Sequence, residues 1–369
     1  MLKVRKSGAK YSAIVGIGEN LRKLSIEQGQ EYLMLNRGIN AVENIDLKPL
    51  ISEIDFNSND IQVYPPVKGR LSLRQAVNLE YFHNASSVEN INITAGGVNA
   101  LDLIFRSLDV KKVFLPQFYW GAYVNVLKIN QQAFDFYPDL EYLNKNAPSL
   151  QGLAVVICDP NNPSGLKFDD EELLNTIRKL NDEGVVVIFD SPYRRVFFEA
   201  EQDSFYKKLL EFEHVIISES FSKSVGLSGM RIGFVHCVNK DFMDELAIKL
   251  LFATNGINNF AQIIIEKLLI TETGKRSARN FRTITTEHIS KNIDYLVGRN
   301  FLAEEIYKNL KPWGIFVIVK QRYEELIAKG IGSVPLSFFT QVKHVDANQF
   351  ARICVSVPHD KFIEFFRRL

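Results

Sequence analysis

Short apolar runs recur through the middle of the chain, each flanked by glycine, proline, aspartate or asparagine. Residues 112–115, 153–158, 185–189, 214–218 and 232–237 are rich in Val, Ile, Leu and Phe. Runs of that length, continuous rather than alternating, read as strands buried on both faces. Between them the spacing of apolar positions becomes helical, over 169–183 and 204–211. Such strands separated by helices predict an α/β domain with a largely parallel, helix-covered sheet. Ligands of parallel sheets collect at the carboxyl ends of the strands, so chemistry is sought there.

From about residue 257 to 307 the pattern stays helical, broken by a loop around 271–274. Strand-like runs return at 315–319 and 351–357, ahead of a closing helix at 360–369. The expected organisation has three parts. Residues 1–43 form an N-terminal segment that packs with a small C-terminal α/β domain, 281–369, and residues 44–280 form the large domain.

Composition narrows the classes of function without choosing one. The chain has 369 residues, room for one large core or two moderate ones, with 46% hydrophobic and 24% charged residues. A formal net charge of +1 supplies no field that would recruit nucleic acid or an anionic membrane. Cys158, Cys237 and Cys354 are far apart and show no metal-ligand spacing, which argues for a reducing, cytoplasmic setting and no metal. No segment has 18 uninterrupted apolar residues, and the opening MLKVRKSGAKYSAIVGIGEN reads neither as a signal peptide nor as a spanning helix.

Four constellations carry candidate chemistry, three of them at predicted strand ends. In VVVIFDSPY, Asp190 closes a buried strand, where a carboxylate is costly unless it caps a turn or meets a cation such as a protonated ring nitrogen; Tyr193 is three residues on. In VVICDPNNPSG, Asn162 sits in a loop that is either a plain turn or a hydrogen-bonding partner for a planar ligand. In INITAGGVNALDLIF, glycines open an amphipathic helix, leaving free N–H groups that suit a single phosphate and match no nucleotide fingerprint. In SESFSKSVGLSGMRIGF, Lys223 is crowded by Ser220 and Ser222, with Arg231 eight residues later. A lysine amine held near a fixed cation and away from water has a lowered pKa and serves as a nucleophile.

Taken in order, DPNNPSG, DSPY, SFSK followed by Arg231, and ARICVSVP resemble the motifs of class I/II aminotransferases, the fold-type I enzymes that use pyridoxal 5′-phosphate. The resemblance spans nearly the whole chain. It implies that Lys223 forms the internal aldimine and shuttles a proton, and that Asp190 pairs with the pyridinium nitrogen. Asn162 and Tyr193 would hydrogen-bond the ring oxygen. Gly97, Val98, Asn99, Ser220, Ser222 and Arg231 would cup the phosphate. Arg352 would grip the substrate carboxylate, with Gly38 and Asn162 beside it. Phe118 falls where the family stacks an aromatic on the ring, with Tyr119 and Trp120 adjacent. The segment VYPPVKGRLSLRQAV implies that Tyr64 reaches a neighbouring subunit's phosphate, hence a homodimer with shared sites.

The implied activity is transfer of an amino group from an L-amino acid to a 2-oxo acid. A lyase or eliminating cyclase on the same cofactor is the alternative, and a non-catalytic binding protein on the same fold is the third reading. Two substrate-side segments depart from the family pattern: NRGIN (Gly38, Asn40) lacks its proline, and SVPLSFF has Leu336 after Pro335. Residues 241–274 contain no arginine, where relatives selective for dicarboxylates carry one. Acidic substrates are therefore disfavoured, with Lys249 and Arg37 as the cations that could substitute.

Overall fold

The computed structural model describes residues 2–341 and 346–369. In chain order its strands are β1 (Leu33–Met34), β2 (Ile91–Thr94), β3 (Val113–Pro116), β4 (Phe134–Tyr137), β5 (Ala154–Cys158), β6 (Val186–Asp190), β7 (Val215–Ser220) and β8 (Gly233–His236), then β9 (Phe316–Val319), β10 (Ile331–Gly332), β11 (Val334–Pro335) and β12 (Ala351–Cys354). Seven of them form one sheet in the order β2-β8-β7-β6-β5-β3-β4. Strands β3 to β7 pair in parallel, and β8 runs antiparallel to both β2 and β7. The expected mixed α/β architecture with a mostly parallel, helix-covered sheet is the one observed.

Register sets up the site. Cys158 on β5 pairs with Asp190 on β6, and Asp190 pairs with Ser218 on β7, so these strand ends finish level with one another. β5, β6 and β7 are buried along nearly their whole length, and their Val and Ile side chains feed an apolar cluster on both sides of the sheet. Burial at about 25 cal/mol per Å² of apolar surface makes that cluster the main support of the strand ends.

A second apolar cluster gathers around the three-stranded sheet β11-β12-β9 and the helices Glu272–Gly298 and His359–Phe366. The N-terminal segment joins it directly: β1 pairs in parallel with β10, Leu33 opposite Ile331. Leu35 and Ile353 lie in the same cluster, and the Leu35 carbonyl accepts from the Cys354 N–H at 2.9 Å.

Some expected elements differ. The loop around 271–274 shrinks to a single joint, because Thr271 caps the helix Glu272–Gly298, its Oγ1 accepting from the Gly274 N–H at 3.0 Å. Gly274 permits this close turn: a Cβ there would lie 2.1 Å from the Lys267 carbonyl oxygen. The helix expected over 204–211 is one α-turn, Phe205–Lys208, followed by a 3₁₀ turn. The run 351–357 pairs only as far as Cys354. Strands β2 and β4 were not anticipated, being four residues each and, for β4, half exposed at the sheet edge. Among the described residues no helix is long and apolar enough to cross a membrane.

Candidate active site

Asp190 ends β6 with a buried side chain, 3% exposed, and Tyr123 from the helix Gly121–Ile129 donates its hydroxyl to Oδ2. Burial pushes the Asp190 carboxyl up to about 6, with the Tyr123 hydrogen bond pulling partly back. One strand over, β7 runs out into the turn Phe221–Ser224. Ser220 starts that turn by accepting the Ser222 N–H at 3.3 Å, and its hydroxyl meets that of Ser222 at 3.0 Å. Lys223 therefore emerges from a pinned turn, and its amine donates to the Gly38 carbonyl. Burial lowers the Lys223 amine to about 8, and the neighbouring charges of Arg231 and Arg352 push the same way.

Arg231 occupies the left-handed region at φ 56°, and its Nη1 donates to the Ser228 carbonyl at 2.8 Å and lies 3.5 Å from Ser222 Oγ. A Cβ on Gly96 would come within 2.7 Å of Arg231 Nη2. Glycine at 96 thus lets a guanidinium lie against the start of the helix Gly97–Ser107, where free N–H groups already favour an anion. From the opposite side, Arg352 on β12 is fully enclosed between the rings of Phe316 and Phe339, 4.4 and 4.8 Å from their centroids. Its Nη2 donates to the Asn36 carbonyl at 2.6 Å, while Nε has no partner among the described residues. Asn162 donates from Nδ2 to the Tyr193 hydroxyl at 3.2 Å, and its Oδ1 has no partner among the described residues.

These groups border one cavity of about 270 Å³. Gly38, Gly97, Val98, Asn162, Asp190, Tyr193, Ser220, Ser222, Lys223, Arg231 and Arg352 all face it. Four residues named from the sequence do not: Asn99, Phe118, Tyr119 and Tyr64. Asn99 turns its Oδ1 back to the Ala95 N–H at 3.0 Å. Phe118 packs against the second apolar cluster, and Trp120 borders the cavity in its place. Tyr119 stacks on Phe136 at 5.1 Å. Tyr64 is 83% exposed and lines a separate groove with Gly256 and Phe260.

Of the two cations considered for acidic substrates, Lys249 is spent on Glu245 and the Arg106 carbonyl, away from the cavity, whereas Arg37 borders it. The departing segment with Leu336 buries that leucine in the second cluster rather than in the cavity wall. Ser12, Ile14, Tyr123 and Phe316 also border the cavity and were not foreseen. Tyr123 had a faint signal, three residues after Trp120 on a helix that starts at Gly121, with the two rings edge to face at 5.7 Å. Ser12 and Ile14 had none.

The model of the family "Aminotransferase class I and II" matches residues 34–369. The chain is 28% identical over 297 residues to the histidinol-phosphate aminotransferase of Flavobacterium psychrophilum, covering 74% of this chain and 77% of that one. It is 30% identical over 235 residues to the aspartate aminotransferase of Pyrococcus horikoshii, covering 58% and 57%. With the histidinol-phosphate aminotransferase of Thermoanaerobacter pseudethanolicus it shares 28% identity over 196 residues, covering 50% and 53%. The chain thus spans a little over half the length of several curated relatives that it matches. The solved structure of the Thermus thermophilus aspartate aminotransferase with maleate superposes at a TM-score of 0.84 and 20% identity, covering 100% of this chain and 99% of that one. The mostly parallel, helix-covered sheet is thus a fold shared with that solved structure. This chain belongs to the class I and II aminotransferase family.

Proposed function

We propose that the chain transfers an amino group between an L-amino acid and a 2-oxo acid with pyridoxal 5′-phosphate as cofactor. The observation that carries this reading is the pairing, across one cavity, of the low-pKa amine of Lys223 with the buried Asp190 carboxyl, between two arginines. The residues fit the cofactor: the enclosed Asn162 Oδ1 and Arg352 Nε have no partner among the described residues, and the glycine at 96 leaves the helix start open beside Arg231. Ser220, Ser222, Arg231, Gly97 and Val98 would hold the phosphate, Asp190 the ring nitrogen, Asn162 and Tyr193 the ring oxygen. Trp120, rather than Phe118, would cover the ring. When bound, the cofactor supplies an aldehyde that condenses with amines and a ring that takes up the electron pair left by the substrate's Cα–H bond.

The chain's own residues do the rest. Arg352, fixed by two rings and the Asn36 carbonyl, takes the substrate carboxylate as a bidentate partner. That orients the Cα–H bond before any proton moves. Lys223, neutral in a sizeable fraction near pH 8, accepts the proton from Cα and returns it, a base matched to its working pH. Asp190, ionised once a cation faces it, holds positive charge on the opposite side of the site. Tyr123 keeps that carboxylate oriented.

The remaining parts of the reading are a homodimer in which Tyr64 serves the site of the second copy, and the division at 1–43, 44–280 and 281–369. The exposure of Tyr64 and the two apolar clusters support them. The test is spectroscopic. Purified protein incubated with the cofactor should acquire a visible absorbance band, which one amino acid converts with equimolar 2-oxo acid and no free ammonia. Ammonia release would move the reading to the lyase. A band that persists in Lys223→Ala would overturn it.

A further inference from the structure

Among the described residues five charged ones border the cavity: Arg37, Asp190, Lys223, Arg231 and Arg352. Under the reading above, four of them have an assigned partner. Arg231 meets the phosphate, Arg352 the substrate carboxylate, Asp190 the ring nitrogen, and Lys223 the cofactor's aldehyde carbon. Arg37 has none. Among the described residues it makes no ion pair and no hydrogen bond, although it is only partly exposed. A guanidinium at the edge of water with no counter-charge keeps all its donors open to an anion that enters the cavity.

The placement of Arg37 is built rather than incidental. The carbonyl on one side of it, Asn36 O, accepts from Arg352 Nη2, and the carbonyl of Gly38 on the other side accepts from Lys223. The Asn36 side chain donates to the Ile14 carbonyl at 3.2 Å, tying the segment to the helix Ala13–Gln28. Gly18 of that helix leaves the room: a Cβ there would lie 2.9 Å from Asn36 Nδ2 and 3.7 Å from Arg37 Nε. The cation is thus held on the cavity wall one residue from the main-chain anchor of Arg352.

We infer that Arg37 is a specificity residue that binds an anionic group at the far end of the substrate's side chain, so that this enzyme's substrates are amino acids with a terminal carboxylate or phosphate. The expectation that acidic substrates are disfavoured rested on the missing arginine in residues 241–274. Here the N-terminal segment supplies the cation instead. The inference rests on the aminotransferase reading for the identity of the other charges, but not for its test.

The experiment measures binding of unreactive acids to the cofactor-loaded protein by calorimetry: butyrate as monoanion, with succinate, glutarate and 3-phosphonopropionate as polyanionic probes. At least one of the three should bind about 10- to 100-fold more tightly than butyrate, the range of a charge-assisted contact. Whether the dicarboxylates or the phosphonate gains more decides between carboxylate and phosphate. Arg37→Gln should bring the ratio close to unity, and Arg37→Lys should keep part of it. In turnover, the kcat/KM ratio of glutamate to glutamine should fall with the binding ratio in Arg37→Gln if carboxylates are preferred. O-phosphoserine against serine replaces that pair if the phosphonate wins. Equal binding of butyrate and all three polyanionic probes by the unmodified protein overturns the inference. So does a preference that survives Arg37→Gln in protein whose circular dichroism matches the parent. If the protein takes up no pyridoxal phosphate, the aminotransferase reading fails by itself. The same titration on the cofactor-free chain then still reads Arg37.

Discussion

Replacing Asp190 with asparagine should stabilise the cofactor-free protein while removing its use. Burial lifts the Asp190 carboxyl from its ordinary 3.8 to about 6. The folded carboxyl therefore holds its proton more tightly than the unfolded one, and folding is favoured most at low pH. That advantage is lost as pH rises from about 4 through 6, and above this window the ionised group weighs against the fold. A difference of about two pH units at about 1.4 kcal/mol each gives about 3 kcal/mol at neutral pH. The side chain is almost fully enclosed, so solvent screening takes little from this figure. Asparagine keeps an oxygen to accept the Tyr123 hydroxyl and carries no charge. Urea unfolding of parent and Asp190→Asn, both free of cofactor, should give curves that coincide near pH 4. By pH 7.5 they should separate by up to about 3 kcal/mol in favour of the variant. Added pyridoxal phosphate should then raise the Tm of the parent and barely move that of the variant. A variant no more stable than the parent at pH 7.5 would refute the reasoning.

Four other outcomes are expected. Amine-directed labelling of Lys223 in cofactor-free protein should rise with a midpoint near pH 8, since burial lowers that amine from 10.5; a midpoint above 10 would contradict the enclosure described. Trp120→Ala should weaken cofactor binding in equilibrium dialysis by about 10-fold, the scale of an aromatic contact, and Phe118→Ala should leave it nearly unchanged. Gly165→Ala should cost about 2–4 kcal/mol in urea unfolding, because φ there is +68° and a Cβ would lie 2.1 Å from the Phe316 carbonyl oxygen. Mixing inactive Tyr64→Ala and Lys223→Ala subunits should restore about a quarter of parental activity, since half the dimers are hybrids and each has one intact site of two. No recovery would exclude a site shared through Tyr64.

The strands that carry the site were legible because each is a continuous apolar run ending in a residue that does not belong in a core. Asp190 stood out for that reason, Lys223 for the serines crowding it, and Arg352 only through the resemblance of ARICVSVP; all three border one cavity. The short edge strand β4 was not legible, because its alternation is half polar and four residues long. Trp120 was passed over for Phe118 because strand-end spacing leaves the direction of adjacent aromatics open, and only the packing of Tyr119 on Phe136 decides it. Ser12 and Ile14 reach the cavity through pairing and helix docking between chain segments far apart in sequence, as Leu33 with Ile331 shows. No local pattern encodes such an encounter.

Phe316 has neighbours that tie three distant stretches into one joint. A Cβ on Gly38 would strike its ring at 2.2 Å, and one on Gly165 would strike its carbonyl oxygen. The same ring lies under Arg352, and the Gly38 carbonyl receives the Lys223 amine. Residues 38, 165 and 316 must therefore vary as a set. Reshaping this wall of the cavity is open at Arg37 and Ile39, neither of which is buried, and closed at the glycine between them.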